Sequence, residues 1–214
     1  MTRTVTSVIN GKAVTDAAGT LTLNNPADLS DHVADVSLAS SRTFLDACRA
    51  GKEAQAEWAA TPAPTRGRAI QQIGRLIEAN KERLATLVTR EIGKPYPEAL
   101  GEVQEMVDTC DFFLGEGRRL YGQTVPSEMH DKQLFTFRRP VGSLAIITAG
   151  NFPVAVPSWY LVPALLCGNS VTWKPAEYAA ASAQATAELF WHGGLPEGLL
   201  NLVVADGPTT FEGL

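Results

Sequence analysis

The sequence predicts an α/β fold: a partial parallel sheet with flanking helices, preceded by an N-terminal extension of strands and a helix. Three observations predict it. Short apolar runs at 144–147, 170–173 and 199–204 suit buried parallel strands. Helix-forming stretches at 158–166 and 179–191 fall between them, and this β-α-β-α-β order calls for right-handed crossovers within one sheet. Hydrophobic residues make up 45% of the 214, enough for a packed core and too many for a disordered chain.

The elements follow in order. Residues 1–38 read as short strands and turns: Val8 and Ile9, a turn at Asn10-Gly11, then 21–23, with Asn24, Asn25 and Pro26 closing that piece. Ser40 or Ser41 caps a helix that runs towards Ala60, with Phe44, Cys48 and Trp58 loosely on one face and Gly51 weakening it. Prolines 62 and 64 break it. A second helix spans 66–92, because Ala69, Ile73, Leu76, Ile77, Leu84, Leu87 and Val88 recur at helical spacing. Gly93 and Pro95 stop it. A third helix has Pro97 in its first turn and the stripe Leu100, Val103, Val107, Cys110 and Leu114. Polarity rises over 121–139, where 133–137 alternates as one arm of a hairpin. Asp206, Gly207 and Pro208 make a turn. The whole reads as a single, incomplete domain over 1–214, with a hairpin arm at 121–140 and the nucleotide-binding core at 142–204. Its third core strand is expected to be an uncovered sheet edge.

Composition narrows the partners. The formal net charge is −5 and no basic patch stands out, which argues against nucleic acid and anionic membranes. The first residues hold no apolar signal region, so a cytoplasmic location is expected. The most apolar window, 152–167, holds Pro153, Pro157 and Pro163 and falls short of the ~20 residues of a membrane span. The 3 cysteines, Cys48, Cys110 and Cys167, are widely spaced and fit reduced thiols. The 3 histidines, His32, His130 and His192, have no partners at metal-ligand spacing, so no metal site is expected.

In a doubly wound sheet, ligands sit beyond the carboxyl ends of the strands. Three places meet that condition: the turn after Ile147, the segment 174–177, and Gly207-Pro208. Glu177 there can accept hydrogen bonds from both hydroxyls of a ribose, and Lys174 adds a charged donor; the plain alternative is a solvated loop start. The first βα turn lacks G-x-G-x-x-G, so phosphates cannot be cradled in the usual way. Asn151 in that turn is suited to donate to a developing oxyanion, or simply to bond its own loop backbone.

At these residues a family resemblance appears. Thr148-Ala-Gly-Asn-Phe-Pro153 resembles the P-W-N-F-P segment of aldehyde dehydrogenases, with Asn-Phe-Pro intact. Pro163-Ala-Leu-Leu-Cys-Gly-Asn-Ser-Val-Thr-Trp-Lys-Pro-Ala-Glu177 is similar to their P-A-L-x-x-G-N-x-V-x-x-K-P-A-E, and Gly194-Leu-Pro-Glu-Gly-Leu-Leu-Asn-Leu-Val203 to their G-L-P-x-G-x-x-N-x-V. Glu91-Ile-Gly-Lys-Pro95 and Glu98-Ala-Leu-Gly-Glu-Val103 fit as well. The resemblance runs from about Asn10 to the end.

The resemblance implies a Rossmann-like cofactor domain of the aldehyde dehydrogenase type, with the hairpin used for oligomerisation. It implies NAD(P)-dependent oxidation of an aldehyde to the acid, in which a cysteine thiolate adds to the aldehyde and water later releases the product. Asn151 then stabilises the oxyanion. Lys174 and Glu177 hold the ribose, Ile147, Thr148 and Ala149 offer backbone contacts, and Gly207 and Pro208 pack on the adenine. Glu177 favours NAD over NADP, since a carboxylate repels a 2′-phosphate; Lys174 pulls the other way. The family's G-S-T-x-x-G turn, catalytic glutamate and nucleophilic cysteine have no counterpart here, and none of the three cysteines matches by alignment. The expectation is therefore an N-terminal portion, inactive alone, partnered by a homo-oligomer or a complementing C-terminal half. The competing readings are a non-catalytic nucleotide- or partner-binding module, and a self-sufficient enzyme of different chemistry, for which no base–nucleophile pair is evident.

Overall fold

Among the described residues five strands precede the first helix, and they are divided between two sheets. The computed structural model describes residues 3–15 and 18–214. Strands β1 (Arg3–Val5), β2 (Ser7–Ile9) and β3 (Lys12–Val14) are short. Asn10 and Gly11, at φ 51° and 72°, supply the two left-handed residues that a tight hairpin turn between β2 and β3 requires. Strands β4 (Gly19–Asn25) and β5 (Asp28–Leu38) form a longer antiparallel pair, and β1 joins β5 in parallel. The sequence reading passed over β5. Its polar residues interrupt the alternation, and only Val33, Ala34 and Val36 are buried.

Helix α1 (Ser41–Ala60) begins as expected, with the Ser40 hydroxyl accepting from the Thr43 backbone N–H. The expected single helix over 66–92 is two: α2 (Ala63–Ala79) and α3 (Lys81–Ile92). Asn80 makes the break. Its side chain donates to the Leu76 carbonyl at 2.8 Å and its own carbonyl accepts the Leu84 N–H at 2.9 Å, so it ends one helix and starts the next. The apolar stripe stays in phase across it, which hid the break. Gly93 closes α3 in the left-handed conformation, and α4 (Tyr96–Glu116) follows. Strands β6 (Thr124–Val125) and β7 (Leu134–Phe135) then pair as an exposed antiparallel arm.

The remaining elements are β8 (Ser143–Ile147), α5 (Ala155–Leu166), β9 (Ser170–Lys174), a 3-10 turn (Glu177–Ala179), α6 (Ala180–His192), β10 (Leu200–Leu202) and α7 (Gly207–Gly213). Strands β8, β9 and β10 are parallel, with β9 central and wholly buried. The three residues read as a turn after β10 instead open α7: Asp206 caps it, accepting from the Thr209 N–H at 2.8 Å, and Pro208 sits in its first turn.

A further expectation is overturned. The edge of β10 is not bare, because β2 pairs with it antiparallel and β3 with β2, giving the order β3-β2-β10-β9-β8. The parallel strands end the sheet at β8, on which Ser143, Ala145 and Ile147 are exposed. The pairing of β2 with β10 joins residues far apart in sequence, which no local pattern reveals.

Helix α1 lies against β8, β9 and β10, while α5 packs on β8 and β9, and α6 on β10. Gly51 permits the α1 approach: a Cβ there would meet the Ser143 and Ser170 hydroxyls at 3.1 Å. Helices α2 and α4 pack on each other, α4 on α5, and α3 on α6. Trp173, Val171 and Leu202 join Leu161, Leu165 and Phe190 in the main core. Among the described residues no helix is long and apolar enough to cross a membrane.

Candidate functional site

The three parallel strands end at one level. Ile147 is in register with Lys174, and the Thr148 N–H donates to the Lys174 carbonyl at 3.0 Å. Lys174 is buried at the carboxyl end of β9, with its Nζ 3.1 Å from the Glu177 Oε2 at the start of the 3-10 turn. The Glu177 side chain is 32% exposed against 7% for Lys174, so the carboxylate faces solvent and the ammonium lies beneath it. Past β10, Gly207 and Pro208 are exposed, and nothing lies within 4 Å of where a Gly207 Cβ would stand. The Thr209 hydroxyl and N–H hold the Asp206 carboxyl below its ordinary range, and the Lys174 charge adds to this.

The first βα turn carries the other candidates. Ile147 and Ala149 are exposed. Thr148 is buried, its hydroxyl accepts from the Trp173 indole N–H at 3.0 Å and its N–H is given to Lys174, so its backbone carbonyl is the group left for a ligand. Gly150 has no room for a side chain, because the Tyr178 ring fills that place. Asn151 is exposed and its side chain makes no hydrogen bond to any described residue. The alternative in which it serves its own loop is thus not what the geometry displays. Asn151 lies on a cavity of about 620 Å³ also lined by Gly150, Lys94, Glu98 and Tyr178.

Two buried glutamates hold these turns, and neither was given a role from the sequence. Glu102 on α4 accepts the N–H groups of Val154 and Ala155 on one oxygen, at 2.6 and 3.1 Å. Its other oxygen takes the Lys94 ammonium at 2.6 Å. Lys94 in turn stands 3.7 Å above the Phe152 ring centroid. Glu91 on α3 accepts the N–H groups of Ala181 and Ser182 at 2.6 and 2.8 Å, capping α6. Burial pushes the Glu91 carboxyl up despite these bonds. A signal existed in the sequence: each glutamate interrupts an apolar helical stripe, beside Val88 in one case and between Ala99 and Val103 in the other.

The thiols stand apart from this group. Cys110 is fully buried and its pKa is pushed up to about 12 by burial. Burial also raises Cys167, against the opposing charges of Arg66 and Arg138. Neither environment favours a thiolate nucleophile.

These residues fit one end of a dinucleotide. The Lys174–Glu177 pair presents a carboxylate acceptor over an ammonium at the carboxyl end of β9, and open surface lies at Gly207 past β10. Among the described residues no glycine-rich phosphate cradle accompanies them.

Comparison with known proteins gives a consistent result. A sequence model of the aldehyde dehydrogenase family matches residues 14–214. The chain is 35% identical to the alpha-ketoglutaric semialdehyde dehydrogenase of Bacillus subtilis over 99% of its own length and 43% of that protein's. It is 39% identical to malonate-semialdehyde dehydrogenase 3 of Geobacillus kaustophilus, covering 94% of this chain and 42% of the relative. Its structure superposes on an NAD-dependent aldehyde dehydrogenase from Sinorhizobium meliloti with TM-score 0.94 at 30% identity, covering 100% of this chain and 43% of that one. An NADP-dependent enzyme from E. coli gives TM-score 0.93 at 32% identity, over 99% and 44% of the two chains. The chain thus spans less than half the length of the relatives it matches.

Proposed function

Because this chain belongs to the aldehyde dehydrogenase family, we propose that it forms the cofactor-facing wall and the oxyanion donor of an enzyme that oxidises an aldehyde to its acid with NAD or NADP. One observation carries this reading. The unbonded Asn151 amide and the Lys174–Glu177 pair lie at the carboxyl ends of the neighbouring strands β8 and β9. Lys174 and Glu177 bind the ribose hydroxyls, with the carboxylate as acceptor and the ammonium as donor. The backbone of Ile147, Thr148 and Ala149 lines the groove, and Gly207 and Pro208 pack on the adenine. A nicotinamide dinucleotide held by these residues would supply the hydride acceptor. Asn151 donates from its amide N–H to the oxygen that gains charge as the carbonyl is attacked. Glu177 favours NAD, because its carboxylate would repel a 2′-phosphate. Residues 1–214 act as one cofactor-binding domain with its core at 142–204, and the arm at 121–140 serves contact between copies.

The attacking sulfur comes from outside this set of residues: Cys48 packs against the Phe44–Val203 cluster, burial disfavours the thiolate of Cys110 and Cys167, and among the described residues no cysteine lines the cavity on which Asn151 lies. The chain alone is therefore expected to oxidise no aldehyde. Supplied with a polypeptide that carries the rest of the relatives' length, it should gain activity, and Asn151→Ala should then lower kcat by about 10²–10³-fold. NAD-dependent turnover by the chain alone that survives Cys→Ala at 48, 110 and 167 would sink the proposal. A second reading, a non-catalytic nucleotide-binding fragment or one half of a split enzyme, is favoured by the same buried thiols. Failure of the complemented pair to turn over any aldehyde would select the non-catalytic form of it.

A further inference from the structure

Asn151 is exposed and unbonded, yet an oxyanion donor has to be aimed. What aims it lies on another helix. We infer that Glu102, together with Lys94, is the positioning device for Asn151: a buried carboxylate that fixes the start of α5 and, through Phe152, the turn that carries the amide. The inference rests on the reading of Asn151 as the donor.

The geometry divides the task between two carboxylate oxygens. The Oε1 atom receives the N–H groups of Val154 and Ala155, which are first-turn donors of α5 without partners inside the helix. A carboxylate at that place also faces the positive end of the helix dipole. The Oε2 atom receives the Lys94 ammonium, whose side chain is 9% exposed against 0% for Glu102. Lys94 spans from there to the face of the Phe152 ring, adjacent to Asn151. The turn is thereby held on both sides of Phe152, by its backbone through α5 and by its ring through Lys94. Capping needs only one acceptor; Glu102 offers two, and the second is taken up by Lys94. Val154 precedes α5 and caps it with no side-chain bond of its own, so the α5 entry depends on Glu102.

The test uses the 214-residue chain labelled with ¹⁵N. The side-chain amide signals of Asn151 are assigned with Asn151→Asp, and its exchange broadening and shift are followed in three variants. Glu102→Gln retains an acceptor for the two N–H groups and releases Lys94. Lys94→Met releases the ring and leaves the second Glu102 oxygen without its ammonium while keeping both N–H bonds, and Phe44→Leu weakens the smaller core cluster, which holds no residue of the turn. Movement of the Asn151 amide signals in Glu102→Gln and in Lys94→Met, larger than in Phe44→Leu at matched loss of stability, is the expected result. Asn151 signals that stay in place in either variant, or that move equally in Phe44→Leu, would overturn the inference. Glu102→Ala is informative only if folded, and the other two variants decide the matter without it. The outcome is separable from the reading beneath it: loss of turnover on Asn151→Ala in the complemented enzyme judges the donor, whereas the amide signals judge the device.

Discussion

At the scale of single residues, buried charge is used here to hold helix starts, and this has a pH signature. Glu91 is buried against the first turn of α6, and burial raises its carboxyl above the ordinary 4.5. The folded state then binds its proton more tightly than the unfolded chain does. Stability from this group is full below 4.5 and is lost as pH rises through the raised value. Asp31 has the opposite sign. The Arg90 guanidinium, donating to it, lowers its pKa from 3.8 to about 2, so its contribution is full above 3.8 and is lost as pH falls towards 2. Urea titrations across pH should show both limbs. Glu91→Gln, which keeps an acceptor for Ala181 and Ser182, should flatten the upper limb only, and Asp31→Asn the acid limb only. An upper limb unchanged in Glu91→Gln would refute the assignment. The buried pair Lys94–Glu102 should be more sensitive to truncation: Glu102→Ala leaves an ammonium and two N–H groups without partners and should cost about 3–5 kcal/mol by the same titrations.

At the scale of elements, the two ends of the main sheet differ in how they are protected. The β10 edge is covered by the β2–β3 hairpin, and the β8 edge is open, without a charge or proline along Ser143–Ile147. Removal of residues 1–15 should therefore bare β10 and raise association, read as mass by light scattering. Ala145→Lys, placing a charge on the open β8 edge, should lower whatever association the intact chain displays. A deletion variant that stays a clean monomer would contradict the role given to the hairpin. The helices were legible because an apolar stripe at helical spacing has few other causes: Ile73, Ile77, Leu84 and Val88 are all fully buried. What was not legible was local interruption and remote pairing. Asn80 breaks the helix through its own side chain without disturbing the stripe, and β5 carries too many polar residues to look like a strand. Nothing near Val8 announces that it will lie beside Leu202.

At the scale of the whole molecule, the parallel core followed from strand order, and the candidate site was sought at its carboxyl ends because ligands gather there. The structure brings Ile147, Lys174 and Glu177 together there, and places Gly207 and Pro208 at the neighbouring strand end, at the start of a helix and not in a simple turn. The supports of the site were hidden because they belong to other elements. Glu102 reaches the Asn151 turn across 52 residues of chain, and only the packing of α4 on α5 makes that reach visible. The central claim is that these strand ends form the ribose-facing wall of a nicotinamide dinucleotide site. Titration of the purified chain with NAD by calorimetry tests it most directly. Saturable binding, weakened about tenfold by Lys174→Met through loss of a charged donor, is the predicted result; a folded chain that binds no NAD, or binds it equally well after Lys174→Met, would contradict the account.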